Sequence, residues 1–457
     1  MKDKKPFYMN KIFCNRVFLS LFGIIGGMAF AGAQTIHTLS VQEALELAKK
    51  NNITVKTART NLQIQEQVNK SVTADALPTV SGIVSSTAYV QTPVSIIPKD
   101  AFGPGAPAEP QAVSFTPKYN ATAGVTLKQT LFDGQVFVGL KARSTALDYS
   151  MKEIDLAVEN LSVNVYKVYY QLLVSKTQVM LLDADIARAA KLLNDTRIMN
   201  ENGFAEKLDV DKAQVQLANL ETARQNTETN IINGYLSLKY LIGVPAADSL
   251  VLTTEFKEED LKGGIPMDLQ YRYEDRYDYQ HLQISGKLGE YDIKRYKAVY
   301  YPTLDLNGAF FKNAYNNTYD FLTTGGTWYS NSYLGLSVNV PIFSGFSKNA
   351  NLKKARLNYT LIKDQMENLK QNIDLEVRQA RNNFLNAMKT MDNQKENTDL
   401  AESVYNQTKK KFESGLASNT DVTNAQTDLI QAQTNYINAL YTSIIAKVDY
   451  LKAIGKI

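Results

Sequence analysis

Two long stretches of the chain carry the same rhythm of apolar and polar positions. From Gln135 to Asn202 there is no proline and a single glycine, Gly139, and from Phe346 to Ser414 there is neither. Within them apolar residues recur at alternating steps of four and three, through Leu161, Val165, Val168 and Leu172 to Leu182, Ile186, Ala189 and Leu193. The second stretch repeats this with Ile373, Val377, Ala380, Phe384, Ala387 and Met391. That spacing predicts coiled-coil seams, and their many small residues predict close lateral packing. At ~1.5 Å per residue each helix could extend roughly 100 Å, longer than a compact globular domain accommodates.

A second rhythm, of period two, lies just before each stretch. Tyr119, Ala121, Ala123, Val125 and Leu127 alternate with Asn120, Thr122, Thr126 and Lys128, while Leu334, Leu336, Val338, Val340 and Ile342 alternate with Tyr333, Ser337 and Asn339. Weaker alternation runs from Thr79 to Gln91 and from Thr303 to Asn313. Each run has about the 9–11 residues that a tilted strand needs to cross a bilayer. Period two also fits a half-buried soluble sheet; what favours membrane strands is the absence of any globular core to cover them. Four strands leave open edges, which lipid does not tolerate, and closed barrels need about eight strands or more, so other copies must complete the sheet. The loop from Pro93 to Pro117 holds six of the twelve prolines and is expected to lack regular structure. The loop from Tyr315 to Ser330 ends beside Trp328, placed as an interfacial aromatic would be.

These elements occur twice. Gly124-Val125-Thr126-Leu127 through Phe132-Asp133-Gly134 matches Gly335-Leu336-Ser337-Val338 through Phe343-Ser344-Gly345; Gly203 and Asp209 match Gly415 and Asp421; Leu77-Pro78-Thr79 matches Tyr301-Pro302-Thr303. Both copies close on glycine, at Leu241-Ile242-Gly243 and Ala453-Ile454-Gly455. The order predicted for each is helix, two strands, very long helix, tight turn, returning helix. The organisation expected is a first repeat over 34–243, a charged linker over 244–270 and a second repeat over 271–457.

Residues 1–33 are expected to be a signal peptide. Five basic residues and one acid precede an apolar run from Val17 to Phe30, then Ala31-Gly32-Ala33. The run is too short for a membrane-spanning helix. Of 50 Lys+Arg and 46 Asp+Glu, the remainder keeps 45 of each, so no basic field is available to hold nucleic acid. The one cysteine, Cys14, lies in that leader, and only His37 and His281 represent histidine, both expected at the surface. Neither a disulfide, a thiolate or histidine-rich metal site, nor any cofactor is expected. Phosphate-binding loops, nucleophile elbows and His-Glu-x-x-His are absent, so the chain does not read as an enzyme.

Taken in order, the duplication, the Leu-Pro-Thr and Tyr-Pro-Thr strand starts, the Phe-Asp-Gly and Phe-Ser-Gly strand ends and the paired turns resemble the TolC-like outer membrane efflux family over essentially the whole mature chain. One departure is that Asn51-Asn52-Ile53 and Arg276-Tyr277-Asp278 stand where the family commonly has Asn-Asn-Pro and Arg-Pro-Asp. Asn52 and Arg276 nevertheless keep the same 26-residue distance to Pro78 and Pro302. The resemblance implies a mixed α and β membrane protein: a homotrimer with a 12-stranded barrel in outer membrane lipid, continued by an α-helical coiled-coil tunnel in the periplasm. It would serve as a passive exit duct for an inner-membrane pump of RND or ABC type, reached through a periplasmic adaptor (membrane fusion) protein. Drugs, small molecules or, as in type I secretion, proteins would be its cargo. The resemblance also implies that the tips at Gly203, Phe204, Gly415 and Leu416 dock the adaptor. Asp209 and Asp421 would face a periplasmic aperture, with Asn424 standing where similar channels often carry a second acid. By residue chemistry alone, Asp209 and Asp421 also suit helix starts. The alternative is a coiled-coil surface adhesin or stalk anchored by a barrel.

Overall fold

In the computed structural model, which describes residues 36–98, 103, 109–254, 271–319 and 327–457, the two rhythms separate into a sheet and a helical bundle. The leader over 1–33 and linker residues 255–270 lie outside the described residues. The first repeat contains β1 (Ile36–Leu39), α1 (Val41–Asn51), α2 (Ile53–Ala74), β2 (Thr79–Ala88), β3 (Ser95–Ile97), β4 (Gln111–Val113), β5 (Tyr119–Phe132), α3 (Gly134–Glu201) and α4 (Lys207–Ile242). After β6 (Ser249–Leu252) and a short 3-10 turn at Tyr273–Asp275, the second contains α5 (Tyr277–Ala298), β7 (Thr303–Asn316), β8 (Trp328–Asn339), α6 (Ser347–Glu413) and α7 (Asn419–Ala453). The long helices run 68 and 67 residues, as the proline-free stretches predict.

The main sheet is an antiparallel meander in the order β2-β5-β7-β8. Its register gathers the apolar sets of all four strands on one face. Val80 stands opposite Leu127, Leu127 opposite Gly308 and Gly308 opposite Leu334, and Val125 stands opposite Phe310. The other face collects polar side chains that bond across the strands. Thr122 Oγ1 donates to Asn313 Oδ1 (2.8 Å), Thr130 Oγ1 to Asp305 Oδ1 (3.0 Å) and Asn307 Nδ2 to Ser337 Oγ (2.8 Å). A one-residue slip would exchange the faces, so the pattern fixes the register. Among the described residues, the outer strands β2 and β8 each keep one edge unpaired.

Three local expectations are corrected. The proline-rich loop is not wholly irregular, since β3 and β4 pair within it as a small antiparallel hairpin. The second-copy strand ends at Asn339, short of Ile342, because Pro341 has no N–H to give the ladder. In the Tyr315–Ser330 loop, β7 and β8 take residues from both ends, and Trp328 is itself the first strand residue, opposite Ala314. Part of the linker is ordered too, with β6 pairing parallel to β1.

The helices form a layer. Towards the turns the order is α4, α3, α7, α6, and towards the sheet α2, α3, α5, α6. Most seam residues are buried: Val165, Leu172, Ala189, Ile373, Val377 and Met391 are at most 2% exposed, while Val168, Ile186 and Ala380 are half-buried. At its two edges the layer presents apolar side chains outward, among them Val215, Ile232 and Leu236 on α4, and Leu357, Leu375 and Leu400 on α6. No described helix is long and apolar enough to cross a membrane. Neither histidine sits free at the surface. His37 Nε2 lies 3.1 Å from Asp248 Oδ2, and His281 is half-buried against the Tyr149 ring. Burial lowers the His281 pKa.

Candidate functional site

The two tips are built by the same backbone device. At the end of α3, Phe204 N–H donates to Met199 C=O (2.8 Å) and Gly203 N–H to Asn200 C=O (3.0 Å), with Gly203 left-handed at φ 78°. At the end of α6, Leu416 N–H donates to Lys411 C=O (2.8 Å) and Gly415 N–H to Phe412 C=O (2.9 Å), with Gly415 at φ 75°. Both are Schellman turns, which use glycine because an L side chain is strained in that conformation. The turns leave Phe204 80% and Leu416 79% exposed, two large apolar side chains with nothing packed over them. Inside the tips, Thr196 Oγ1 on α3 donates to Asn419 Oδ1 on α7 (3.1 Å), a buried bond that ties one repeat to the other.

The returning helices begin differently. Ser418 caps α7, its Oγ accepting from Asp421 N–H (3.2 Å), while Asp421 Oδ2 accepts from Ser418 N–H (2.8 Å) and Oγ–H (2.7 Å). These bonds from the Ser418 side chain and backbone hold the Asp421 carboxyl below the usual aspartate range. Glu206 stands at the corresponding cap of α4 and makes no side-chain bond, so Asp209 has no such partner. Asp421 and Asn424 are both exposed, one helical turn apart, and Asp209 is half-buried. A single chain holds one Asp209 and one Asp421, so an aperture of either residue would require further copies.

At the opposite end of α4 and α7 lies a collar that sequence reasoning did not identify. Asn52 is buried at the start of α2, where its Oδ1 accepts from Thr54 N–H (2.8 Å) and its Nδ2 donates to Leu241 C=O (2.9 Å). In the second repeat the buried Arg276 donates from Nη1 to Ala453 C=O (3.1 Å). The remaining guanidinium bonds go to Asp278 (3.1 and 2.6 Å) and Glu376 (3.0 Å). Leu241 and Ala453 each stand two residues before the closing glycine, so unlike side chains satisfy equivalent carbonyls. Those glycines are left-handed, at φ 68° and 70°, and a Cβ on Gly243 or Gly455 would lie 2.8 Å from Asn51 or 2.7 Å from Asp275 backbone atoms. The signal for this collar was the shared 26-residue spacing from Asn52 and Arg276 to the strand prolines. Tyr271 and Tyr273 also donate to Asp374 Oδ1 (2.6 and 2.9 Å). Burial, and then the bond to Asp374, push the Tyr271 pKa up to about 12.

The layer presents unlike faces near the collar. One carries a polar groove of about 1380 Å³, walled by α3, α6 and α7, where Asn160, Asn386, Asn438, Asp449 and Lys452 are among the lining residues. On α7, the groove residues Thr442, Ile445, Asp449 and Lys452 follow helical spacing. Ile444, Lys447, Val448 and Leu451 turn instead to a small cavity shared with Gln42 and Leu45 of α1. α1 therefore covers the opposite face from the polar groove. Among the described residues, no group of three or more His, Cys, Asp or Glu could hold a metal ion.

The family described as outer membrane efflux protein matches residues 44–244 and again 276–456, one match for each structural copy. The outer membrane protein TolC of Vibrio cholerae serotype O1 is 23% identical over 341 residues, spanning 73% of this chain and 76% of that protein. The toluene efflux pump outer membrane protein TtgC of Pseudomonas putida is 23% identical over 426 residues, 92% of this chain and 84% of its own length. Among solved structures, the outer membrane protein VceC of Vibrio cholerae superimposes with a TM-score of 0.71 over 91% of this chain and 96% of its own, at 16% identity.

Proposed function

The chain belongs to the outer membrane efflux protein family, and from that premise we propose that it is one third of a passive export duct running from the periplasm through the outer membrane. The family consists of outer-membrane channels and not of enzymes. Three chains would close a 12-stranded barrel and continue it as a helical tunnel. An inner-membrane pump of RND or ABC type supplies energy, and a periplasmic adaptor connects the two. Drugs, small molecules or proteins are the cargo classes.

The observation that carries this reading is that sheet and helical layer are unfinished at both edges in a matching way. β2 and β8 run in opposite directions and each has an unpaired side, so β8 of one copy can extend the antiparallel order onto β2 of the next. Below them, α4 and α6 expose apolar stripes at the outer edges of the layer. Closing the ring removes both liabilities at once. The sheet then turns its apolar face to lipid, while the polar face with Thr122, Asn313 and Ser337 lines the lumen. Because α1 and the β1–β6 pair thicken the other side, the polar groove belongs to the tunnel wall.

In this assembly the exposed Phe204 and Leu416 are the adaptor contacts. Asp209, Asp421 and Asn424 come together by threefold symmetry near the periplasmic mouth, where the acids would attract cations. The repeats at 34–243 and 271–457, joined by an equatorial linker at 244–270, are the working divisions, with 1–33 removed after export. Native mass of the detergent-solubilised protein should give a trimer, and planar bilayers containing it should show stepwise cation-preferring conductance. A stable monomer that retains its strand content, or a trimer that passes no current in any state, would overturn the proposal.

A further inference from the structure

The polar groove contains a carboxylate that the collar leaves unused. Glu159 on α3 is 4% exposed, and its Oε1 is buried without a hydrogen-bond partner, although its side chain lines the groove. A buried carboxylate oxygen left unpaired is costly, so the site favours anything that brings a donor or a positive charge to it. The neighbouring cations are already engaged. Arg276 spends its bonds on Asp278, Glu376 and the Ala453 carbonyl, and Lys452 Nζ donates to Asn160 Oδ1 (3.1 Å). Lys167 Nζ lies 2.6 Å from Asp449 Oδ1. The groove wall thus carries four carboxylates against three cations, a surplus of one negative charge per chain. The lining also includes the carboxamides of Asn383 and Asn438 and the apolar surfaces of Leu156, Ile445 and Tyr441.

We propose that this groove is a binding site for singly charged organic cations with an apolar body, with Glu159 as their counter-ion. This rests on reading the groove as tunnel wall. The cationic end supplies the partner that Glu159 Oε1 lacks, and the asparagine oxygens accept further N–H groups. The body lies on Leu156, Ile445 and Tyr441, so hydrophobic burial and charge pairing act together. Anions are disfavoured by the negative surplus, and the lack of a ligand cluster among the described residues argues against a metal ion.

The site has a pH signature. The charged groups facing Glu159 are Arg276 at the cap and Asp278 in the first turn of α5, Glu376 from α6 and Lys452 from α7. Burial raises the Glu159 pKa against the pull of Arg276 and Lys452. A bound cation favours the ionised carboxylate, so affinity is full above that raised pKa and falls as Glu159 protonates on acidification.

The test is equilibrium binding of ethidium, a cationic aromatic probe, to the full-length detergent-solubilised protein, with anilinonaphthalene sulfonate as the anionic comparison. Glu159→Gln should weaken ethidium binding about tenfold and abolish its pH dependence. Glu159→Asp should restore part of the affinity, and Glu402→Gln, exposed on α6 outside the groove, should leave it unchanged. Equal ethidium affinity in the parent and Glu159→Gln overturns the site, as does equal affinity of the parent for both probes. Bilayer conductance separates this from the reading beneath it: a conducting parent whose ethidium binding ignores Glu159 loses the site and keeps the channel. A parent that binds ethidium through Glu159 and never conducts keeps the site and loses the channel.

Discussion

Tip and collar use one backbone motif under opposite conditions. All four long-helix ends close with a left-handed glycine and the same pair of reversed hydrogen bonds. At the tips a Cβ on Gly203 or Gly415 would meet nothing within 4 Å, whereas at the collar it would run into the backbone of Asn51 or Asp275. The collar glycines are therefore required twice over, for conformation and for space, and the tip glycines only for conformation. This difference shows where the molecule is locked internally and where it keeps surface available.

Substitution at the collar should have the largest effect. Gly243→Ala and Gly455→Ala combine left-handed strain with overpacking against backbone, and each should destabilise by about 3 kcal/mol or more. A denaturant midpoint close to the parent's would show that the collar yields. Gly203→Ala and Gly415→Ala should cost only the conformational part, about 1–2 kcal/mol, and still assemble. Tip variants as damaging as collar variants in the same titration would erase the distinction.

A sharper version tests the free surface itself. Phe204→Asp and Leu416→Asp remove exposed apolar side chains that touch no core, so unfolding should shift by about 0.5 kcal/mol or less. Crosslinking to the adaptor in cells, and export with it, should fall at least severalfold. Unchanged crosslinking would remove the tips as docking points. The smallest effect separates the two returning helices. The lowered Asp421 pKa means that its cap contributes above the unfolded-state pKa and is lost as pH falls through the folded-state value. Acidification below the usual aspartate range should then raise amide exchange in the first turn of α7 more than in that of α4. Asp421→Asn should show the α7 behaviour at neutral pH. In bilayers it should also reduce block by multivalent cations, with Asp428→Asn two turns further on as the unaffected control; equal block would leave Asp421 a capping residue alone.

The sequence disclosed most of the architecture because the repeating elements are governed by spacing. Periods of three and four, a period of two and a duplicated order of motifs are visible without knowing any contact. Seam residues such as Val377 and Met391 therefore fall where their spacing puts them. The collar depends instead on long-range pairing. Nothing local to Asn52 says that it bonds Leu241, and Arg276 achieves the equivalent bond with different chemistry. The β3–β4 hairpin was hidden because prolines mark irregular chain without excluding three-residue strands. His281 was misplaced because the polar composition of its helix says little about a face that meets Tyr149 across the layer.

The connectivity of the main sheet also orders the birth of the molecule. Each helical hairpin can zip from its tip, since α3 and α4, like α6 and α7, are neighbours along the chain. The central strand pair cannot do so, because Thr122 meets Asn313 across 191 residues. Loop closure over that span must precede any reward from the ladder, which makes such pairing slow and exposes unpaired strands meanwhile. The two helical hairpins should thus form faster than the central strand pair, so closure of the sheet follows the zipping of the helices rather than guiding it.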